Sequence, residues 1–305
     1  MVDIRKALGT DDAGNVLVQP EIDKVLQHIV EFKNPLRQNL PRKRGSGPGW
    51  YLNRRVPGTT GAGFVGDKDN INEDQGQYTR VPFLYQTIAA KGKVTRKMQA
   101  IGRSYLDILA EEMESRLLEF KDYEDWALFR GNSSTDNQFD GLDILVTQYV
   151  SCSTGTAAGS LTLAKMDEAI DKCSYNPNMI IVSKRSRRAL QNLLQQYQRF
   201  VNVVEVRGGF KLLAYGEIPI FVSTNIVDTM LLNAGGTAVA DYTSGDSSSI
   251  YILDTEYVWV GELTPVTVMP LAKTTSQYDD FDIYEDIVPV MGNTKACTKI
   301  IGVGA

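Results

Sequence analysis

Residues 95–145, TRKMQAIGRSYLDILAEEMESRLLEFKDYEDWALFRGNSSTDNQFDGLDIL, hold the strongest periodic signal in the 305-residue chain. Leu106, Leu109, Met113, Leu117, Phe120 and Ala127 recur at intervals of three and four, which puts an apolar stripe along one helix face. The first five form the expected core of that helix, and Leu117→Asp, which sets a charge on the stripe, is predicted to prevent folding. Asp107, Glu111 and Glu112 suit the positive end of the helix dipole and Arg130 suits the negative end. Gly131 is expected to close the helix in the left-handed conformation. From Ser104 to Arg130 such a helix would run roughly 40 Å, longer than a small domain needs, so it reads as a strut.

Upstream of the helix the chain has little with which to build a core. Residues 1–44 read as an arm, with a short amphipathic helix at 21–32 and the basic run Pro41-Arg42-Lys43-Arg44 at its end. A strand is predicted over GWYLNRRV (49–56), then a glycine-rich tip from Pro57 to Gly76, then a returning strand region from Gln77 to Ala90. This makes a long hairpin-like loop over residues 45–92, too poor in apolar side chains to pack by itself, and a long protruding loop implies a partner. Downstream, helices at LTLAKMDEAIDKC and RSRRALQNLLQQYQRF alternate with strands at Met179–Ser183 and Ile218–Ser223, the pattern of an α/β unit. From Ile250 onward the pattern is strand after strand.

Composition narrows the function classes. The formal net charge of −5 leaves no overall basic field to hold nucleic acid. Cys152, Cys173 and Cys297 are too far apart for a zinc-ligand spacing and read as buried, reduced thiols. The N-terminus has no apolar signal-peptide core and no 18-residue apolar run occurs, so neither secretion nor membrane insertion is expected and a cytoplasmic origin follows. His28 is the only histidine and falls on the short amphipathic helix, which removes histidine-based catalysis.

Two further patterns have chemical readings. Gly61-Ala62-Gly63-Phe64-Val65-Gly66 matches a dinucleotide-binding GxGxxG, but Pro57-Gly58-Thr59-Thr60 precedes it and polar Asp67 to Gln77 follows, where the motif needs a buried strand and a helix. Asp279, Asp280, Asp282, Glu285 and Asp286 crowd one strand, yet alternation with Phe281, Ile283 and Ile287 puts Asp280, Asp282 and Asp286 on a solvated face. Charge along the loop says more. Arg42, Lys43, Arg44, Arg54 and Arg55 make a basic block, while Asp67, Asp69, Glu73 and Asp74 make an acidic one opposed only by Lys68. A solvated charged loop accounts for this, and so does a loop that pairs with copies of itself. On the pairing reading Arg54, Arg55, Asp67, Lys68, Asp69, Glu73 and Asp74 are the candidate intersubunit contacts.

Taken in order, arm, long loop, long helix, α/β unit and closing strands resemble the major capsid protein of tailed bacteriophages, the Hong Kong 97-type fold. The match is most distinctive where Glu124-Asp125 ends the long helix and Gly131, a polar turn and Gly141-Leu142 follow. The resemblance implies an α+β fold. Residues 1–44 would be the N-terminal arm and 45–92 the extended loop. Residues 93–150 and 249–290 would form the peripheral domain with its spine helix, and 151–248 and 291–305 the axial domain. It implies a non-enzymatic, cofactor-free subunit of an icosahedral phage head, assembled in the host cytoplasm into hexamers and pentamers that enclose double-stranded DNA without sequence-specific binding. Because Met1 is followed by barely an arm, a separate scaffolding protein is expected, or a processed chain if Met1 is not the gene start, with a portal and a cement protein as further partners. In self-crosslinking members a loop lysine joins an asparagine beside a glutamate. Lys68 and Glu285 fit two of those roles, but Leu271 to Glu285 contains no asparagine, so no covalent crosslink is expected. An encapsulin-like compartment is the alternative within the same fold. A nucleotide-binding α/β enzyme using residues 61–66 is the alternative outside it.

Overall fold

The computed structural model describes residues 34–56, 63–67, 76–102, 107–196, 202–206, 210–271 and 277–304. The helix expected at 21–32 with His28, and Leu106, lie outside them. In chain order the described elements begin with α1 (Pro35–Asn39), β1 (Arg42–Arg44), β2 (Gly49–Val56), β3 (Gln77–Leu84), β4 (Gln86–Thr95), α2 (Arg96–Gly102) and α3 (Ile108–Arg130). There follow α4 (Leu142–Leu145), β5 (Tyr149–Ser151), α5 (Leu163–Asp171), β6 (Met179–Val182), α6 (Lys184–Gln196), β7 (Asn202–Val206), β8 (Phe210–Tyr215) and β9 (Ile218–Val222). The chain closes with β10 (Leu231–Leu232), β11 (Val239–Asp241), β12 (Ser248–Leu253), β13 (Val258–Pro270), β14 (Tyr278–Met291) and β15 (Thr298–Val303).

Two main sheets organise these elements. The smaller has the order β1-β13-β14-β4, with the long antiparallel pair β13–β14 at its centre. The larger runs β5-β15-β12-β6-β9-β8-β7 and contains the parallel pair β6–β9, between which the chain passes through α6 and the β7–β8 pair, the crossover a parallel pair requires. Three of its strands are buried from end to end: MIIV in β6, SSIYIL in β12 and TKIIGV in β15. β12 belongs to this larger sheet, so the boundary expected at residue 249 falls after Leu253, between β12 and β13.

α3 is shorter than the periodicity predicts. It starts at Ile108, where the Asp107 carboxylate accepts the Ala110 N–H at 3.3 Å as an N-cap, and α2 upstream is a separate helix. Leu109, Met113 and Leu117 are only half-buried against the core, whereas Phe120, Ala127, Leu128 and Phe129 are buried. Its C-terminus corrects the expected left-handed glycine, because Gly131 has φ −50° and ψ 144°. A glycine is needed there for space, since a Cβ on Gly131 would stand 2.4 Å from the Phe139 carbonyl oxygen and 2.8 Å from that of Ala127. The Gly141 N–H donates to the Gly131 carbonyl at 2.8 Å, and a Cβ on Gly141 would stand 2.7 Å from the backbone of Phe129 and Gly131. The two glycines thus pinch shut the polar turn between them.

Candidate functional site

The end of the expected arm is part of the core. Leu36 and Leu40 are buried in the main hydrophobic cluster, although residues 1–44 offer little with which to build a core. The cause is a set of charges that composition alone does not bring together. Asp125, at the buried end of α3, accepts the N–H groups of Leu36 and Arg37 at 3.1 Å each and so caps α1 from outside its own segment. Its other oxygen accepts the Asn225 amide at 3.2 Å and the Ser223 hydroxyl at 3.5 Å. Burial pushes the Asp125 carboxyl up to about 6, against the pull of those donors.

Beside it Glu124, fully buried, pairs with both Arg37 and Arg42. Glu285, also fully buried, lies 4.0 Å from Arg37 and 3.6 Å from Arg42. Burial raises the Glu285 carboxyl, while Arg42 and Arg37 oppose the shift. Burial first, and then the neighbouring Arg42, pull the Arg37 guanidinium below its ordinary value. Two cations from the arm therefore face carboxylates from α3 and β14, with Glu262 of β13 nearly buried close by. Removing Glu124, or both arginines, leaves buried charge without its close partner, which makes the cluster a lock on the arm's path. After it, β1 lies parallel to β13 with Arg42 in register with Val260, and Lys43 stands 3.7 Å from the centre of the Trp259 ring.

From this root rises the long loop. β2 pairs antiparallel with β3 over eight residues, from Gly49↔Leu84 to Val56↔Gln77. Burial fades along it: Trp50 meets Trp259 edge to face at 6.1 Å and Phe83 is buried, but Gln77 to Arg80 are all exposed. Tyr51, Phe64, Val65, Tyr78 and Leu84 are exposed apolar side chains, Phe64 most of all. β4 then returns into the smaller sheet beside β14, so the loop ends at Leu84 and residues 86–92, which the sequence reading placed in it, belong to the sheet.

The sequence-derived contact residues fall into three groups. Arg55 is exposed on the hairpin and Asp67 is exposed beyond it. Arg54 is half-buried and donates to the Met291 carbonyl of its own chain, and burial lowers its guanidinium pKa. Lys68, Asp69, Glu73 and Asp74 lie outside the described residues. The basic block is therefore smaller than its sequence length, because Arg42, Lys43 and Arg54 are engaged within the subunit. Glu285 is likewise held by the arm arginines. Asp282 and Asp286 are half-buried, and Asp280 pairs with Lys91 at 3.5 Å. Gly63 to Gly66 are exposed irregular backbone between the two hairpin strands.

A second buried polar hub ties α4 to the larger sheet. Asp143 of α4 accepts the Tyr242 hydroxyl at 2.6 Å, the Tyr251 hydroxyl at 3.1 Å and the Lys299 ammonium at 3.1 Å. Burial, then the Asp143 charge, raises both tyrosine hydroxyls above their ordinary pKa. Cys152, Cys173 and Cys297 are buried free thiols. Among the described residues no three His, Cys, Asp or Glu side chains are placed to hold a metal ion, and no helix is long and apolar enough to cross a membrane.

A family model described as SU10 major capsid protein matches residues 54–304. No curated protein sequence matches the chain. Among solved structures, the SrpI encapsulin of Synechococcus elongatus PCC 7942 superposes with a TM-score of 0.71 at 13% identity, covering 98% of this chain and 97% of that one. The capsid of a native GTA particle gives 0.69 at 14% identity over 98% and 100% of the two chains. A Gordonia phage Cozz structure gives 0.65 at 12% identity over 96% and 93%.

Proposed function

The chain belongs to the SU10 major capsid protein family, and from that premise we propose that hexamers and pentamers of it form an icosahedral phage head around double-stranded DNA. It is a structural subunit of a virion shell with the α+β Hong Kong 97-type fold, and it associates with itself. Its role is structural and not catalytic. We assign the arm to residues 1–44 and the extended loop to the segment from 45 that ends at Leu84. The peripheral domain is the smaller sheet with α3, and the axial domain is the larger sheet with α5 and α6. Assembly takes place in the host cytoplasm with a separate scaffolding protein, a portal and a cement protein.

One observation supports self-association most directly. The hairpin is rooted in the core by Trp50 and Phe83 but leaves Tyr51, Phe64, Val65, Tyr78 and Leu84 uncovered. Apolar side chains of that size on a protruding element are stabilised when a neighbouring subunit covers them. Arg55 and Asp67, both exposed, supply opposite charges that fix how the copies meet, with Lys68, Asp69, Glu73 and Asp74 adjoining. Arg54 contributes in part, since one of its N–H groups is taken by Met291.

Negative-stain microscopy with light scattering on the chain, alone and with its neighbouring genes, tests the reading. Shells or capsomer rings support it, and a monodisperse monomer or dimer in both preparations refutes it. Arg55→Glu is expected to leave a folded subunit that forms few or no shells. The encapsulin-like reading has the fold likeness to SrpI behind it, while the family match favours the phage head. DNA inside purified particles supports the phage head, and a packaged enzyme supports the compartment.

A further inference from the structure

The helix α6 is charged in a way its own stability does not explain. Its sequence KRSRRALQNLLQQ contains four basic residues, four amides and no carboxylate, in a chain whose formal net charge is −5. All four bases sit in the first turn and a half, where the helix dipole disfavours positive charge. Arg185 is accounted for, because it bonds the Asp246 carboxylate at 2.6 Å and the Asp246 carbonyl at 3.1 Å. Lys184, Arg187 and Arg188 are exposed and have no ion-pair partner among the described residues. With Gln191 and Gln195 they recur at three- and four-residue spacing and so line one face, roughly 17 Å long, while Leu190 and Leu194 anchor the opposite face in the core.

We propose that this face of α6 binds the phosphate backbone of double-stranded nucleic acid without reading its sequence. Arginine and lysine with glutamine in line are the side chains that contact phosphates. An acidic protein segment would also be drawn to three cations. A specific protein interface, however, is built around aromatic or aliphatic anchors, and none of the exposed large apolar side chains lies on α6. The whole-chain charge hides such a patch, since binding to a polyanion depends on the local density of cations. The inference rests on the shell-subunit reading for identifying that polyanion as the enclosed genome.

The test is fluorescence anisotropy of a labelled 30-base-pair duplex with the full-length subunit, wild type against the Lys184→Gln, Arg187→Gln, Arg188→Gln triple variant, from 50 to 200 mM salt. Three lost phosphate contacts remove about 2.7 from the slope of log affinity against log salt, so wild type loses roughly 40-fold more affinity than the variant across that range. The single variant Arg188→Gln is expected to remove about 0.9 of slope. Equal slopes in folded proteins, checked by circular dichroism, overturn the proposal. So does retention of polyglutamate by wild type and not by the variant, with duplex slopes equal, which would assign the face to an acidic protein partner. Shell formation is scored separately by microscopy. Shells from both proteins with equal duplex slopes would sink this inference and leave the shell reading standing, whereas steeper wild-type binding without any shells would do the reverse.

Discussion

Asp125→Asn measures how the arm is held. Asp125 is fully buried, and its carboxyl is pushed from 3.8 to about 6 by burial. Between those values the folded chain keeps a proton that the unfolded chain has released. This group's stabilisation is therefore fully present below about pH 4 and is lost as pH rises through about 6. At about 1.36 kcal/mol per pH unit the whole effect is about 3 kcal/mol, of which about 2 kcal/mol falls between pH 4.5 and 7.5. Asparagine keeps the shape. Its carbonyl oxygen still accepts the Leu36 and Arg37 N–H groups, while its amide meets the Asn225 amide donor to donor, a cost that does not vary with pH, and it cannot ionise. Urea unfolding of both proteins at the two pH values should show the variant gaining about 2 kcal/mol on wild type from pH 4.5 to 7.5, with other titrating groups common to both. A flat difference, or one that moves the other way, would refute the reasoning. The donors around Asp125 would then hold it as a carboxylate throughout, and α1 would be capped by an anion.

Gly141→Ala forces a Cβ to 2.7 Å from the Phe129 and Gly131 backbone and should cost about 1–3 kcal/mol, seen as a lowered Tm; an unchanged Tm would mean the turn relaxes freely. Leu117→Asp, read from the sequence as preventing folding, is now expected to destabilise by about 1–3 kcal/mol and leave soluble folded subunit, because Leu117 is only half-buried; complete unfolding by circular dichroism would show the helix is covered more tightly. Lys299→Met strips the cation from buried Asp143 and should cost about 3–5 kcal/mol by thermal melting, and a loss under 1 kcal/mol would mean the tyrosine hydroxyls alone satisfy that carboxylate. Assembled shells boiled in denaturant should run as intact monomer on a gel, since Glu285 is engaged by Arg37 and Arg42; a ladder of linked chains would contradict this.

Where one period dominates, the sequence is legible. β2 occupies the predicted 49–56, and the spine helix ends at Arg130 as expected. The charge cluster at the arm root was missed, although each half carried a signal. Glu124 falls four residues after Phe120 and four before Leu128, so it lies on the apolar stripe of its own helix. Glu285 alternates with Phe281, Ile283 and Ile287 on the buried face of β14. A carboxylate on a buried face demands a cation, and the unassigned bases lay in Arg37 and Arg42, remote in sequence. What the sequence could not supply was the pairing. Local periodicity says which face is buried and is silent about which distant segment arrives there. The same limit explains Gly131, where a Cβ would meet the Phe139 carbonyl at 2.4 Å, in a segment that returns eight residues later, as well as the Ala127 carbonyl of the helix end at 2.8 Å.

The way the bases divide also says what drives assembly. Of the five that form one block in sequence, Arg42 is spent on Glu124 and Glu285, Lys43 on the Trp259 ring and Arg54 on the Met291 carbonyl, all within one subunit. These contacts fix the base of the hairpin before any neighbour is met, which reduces the ordering that association must impose. Among the described residues that face outward are Tyr51, Phe64, Val65, Tyr78 and Leu84, with Arg55, Asp67 and Arg80 beside them. Exposed ion pairs contribute at most about 1 kcal/mol each, whereas burying one large apolar side chain contributes about 1.5–3 kcal/mol. We therefore propose that the attraction between subunits through this hairpin is chiefly hydrophobic and that its charges act on register. Assembly through it should accordingly weaken on cooling and persist in salt that screens the ion pairs.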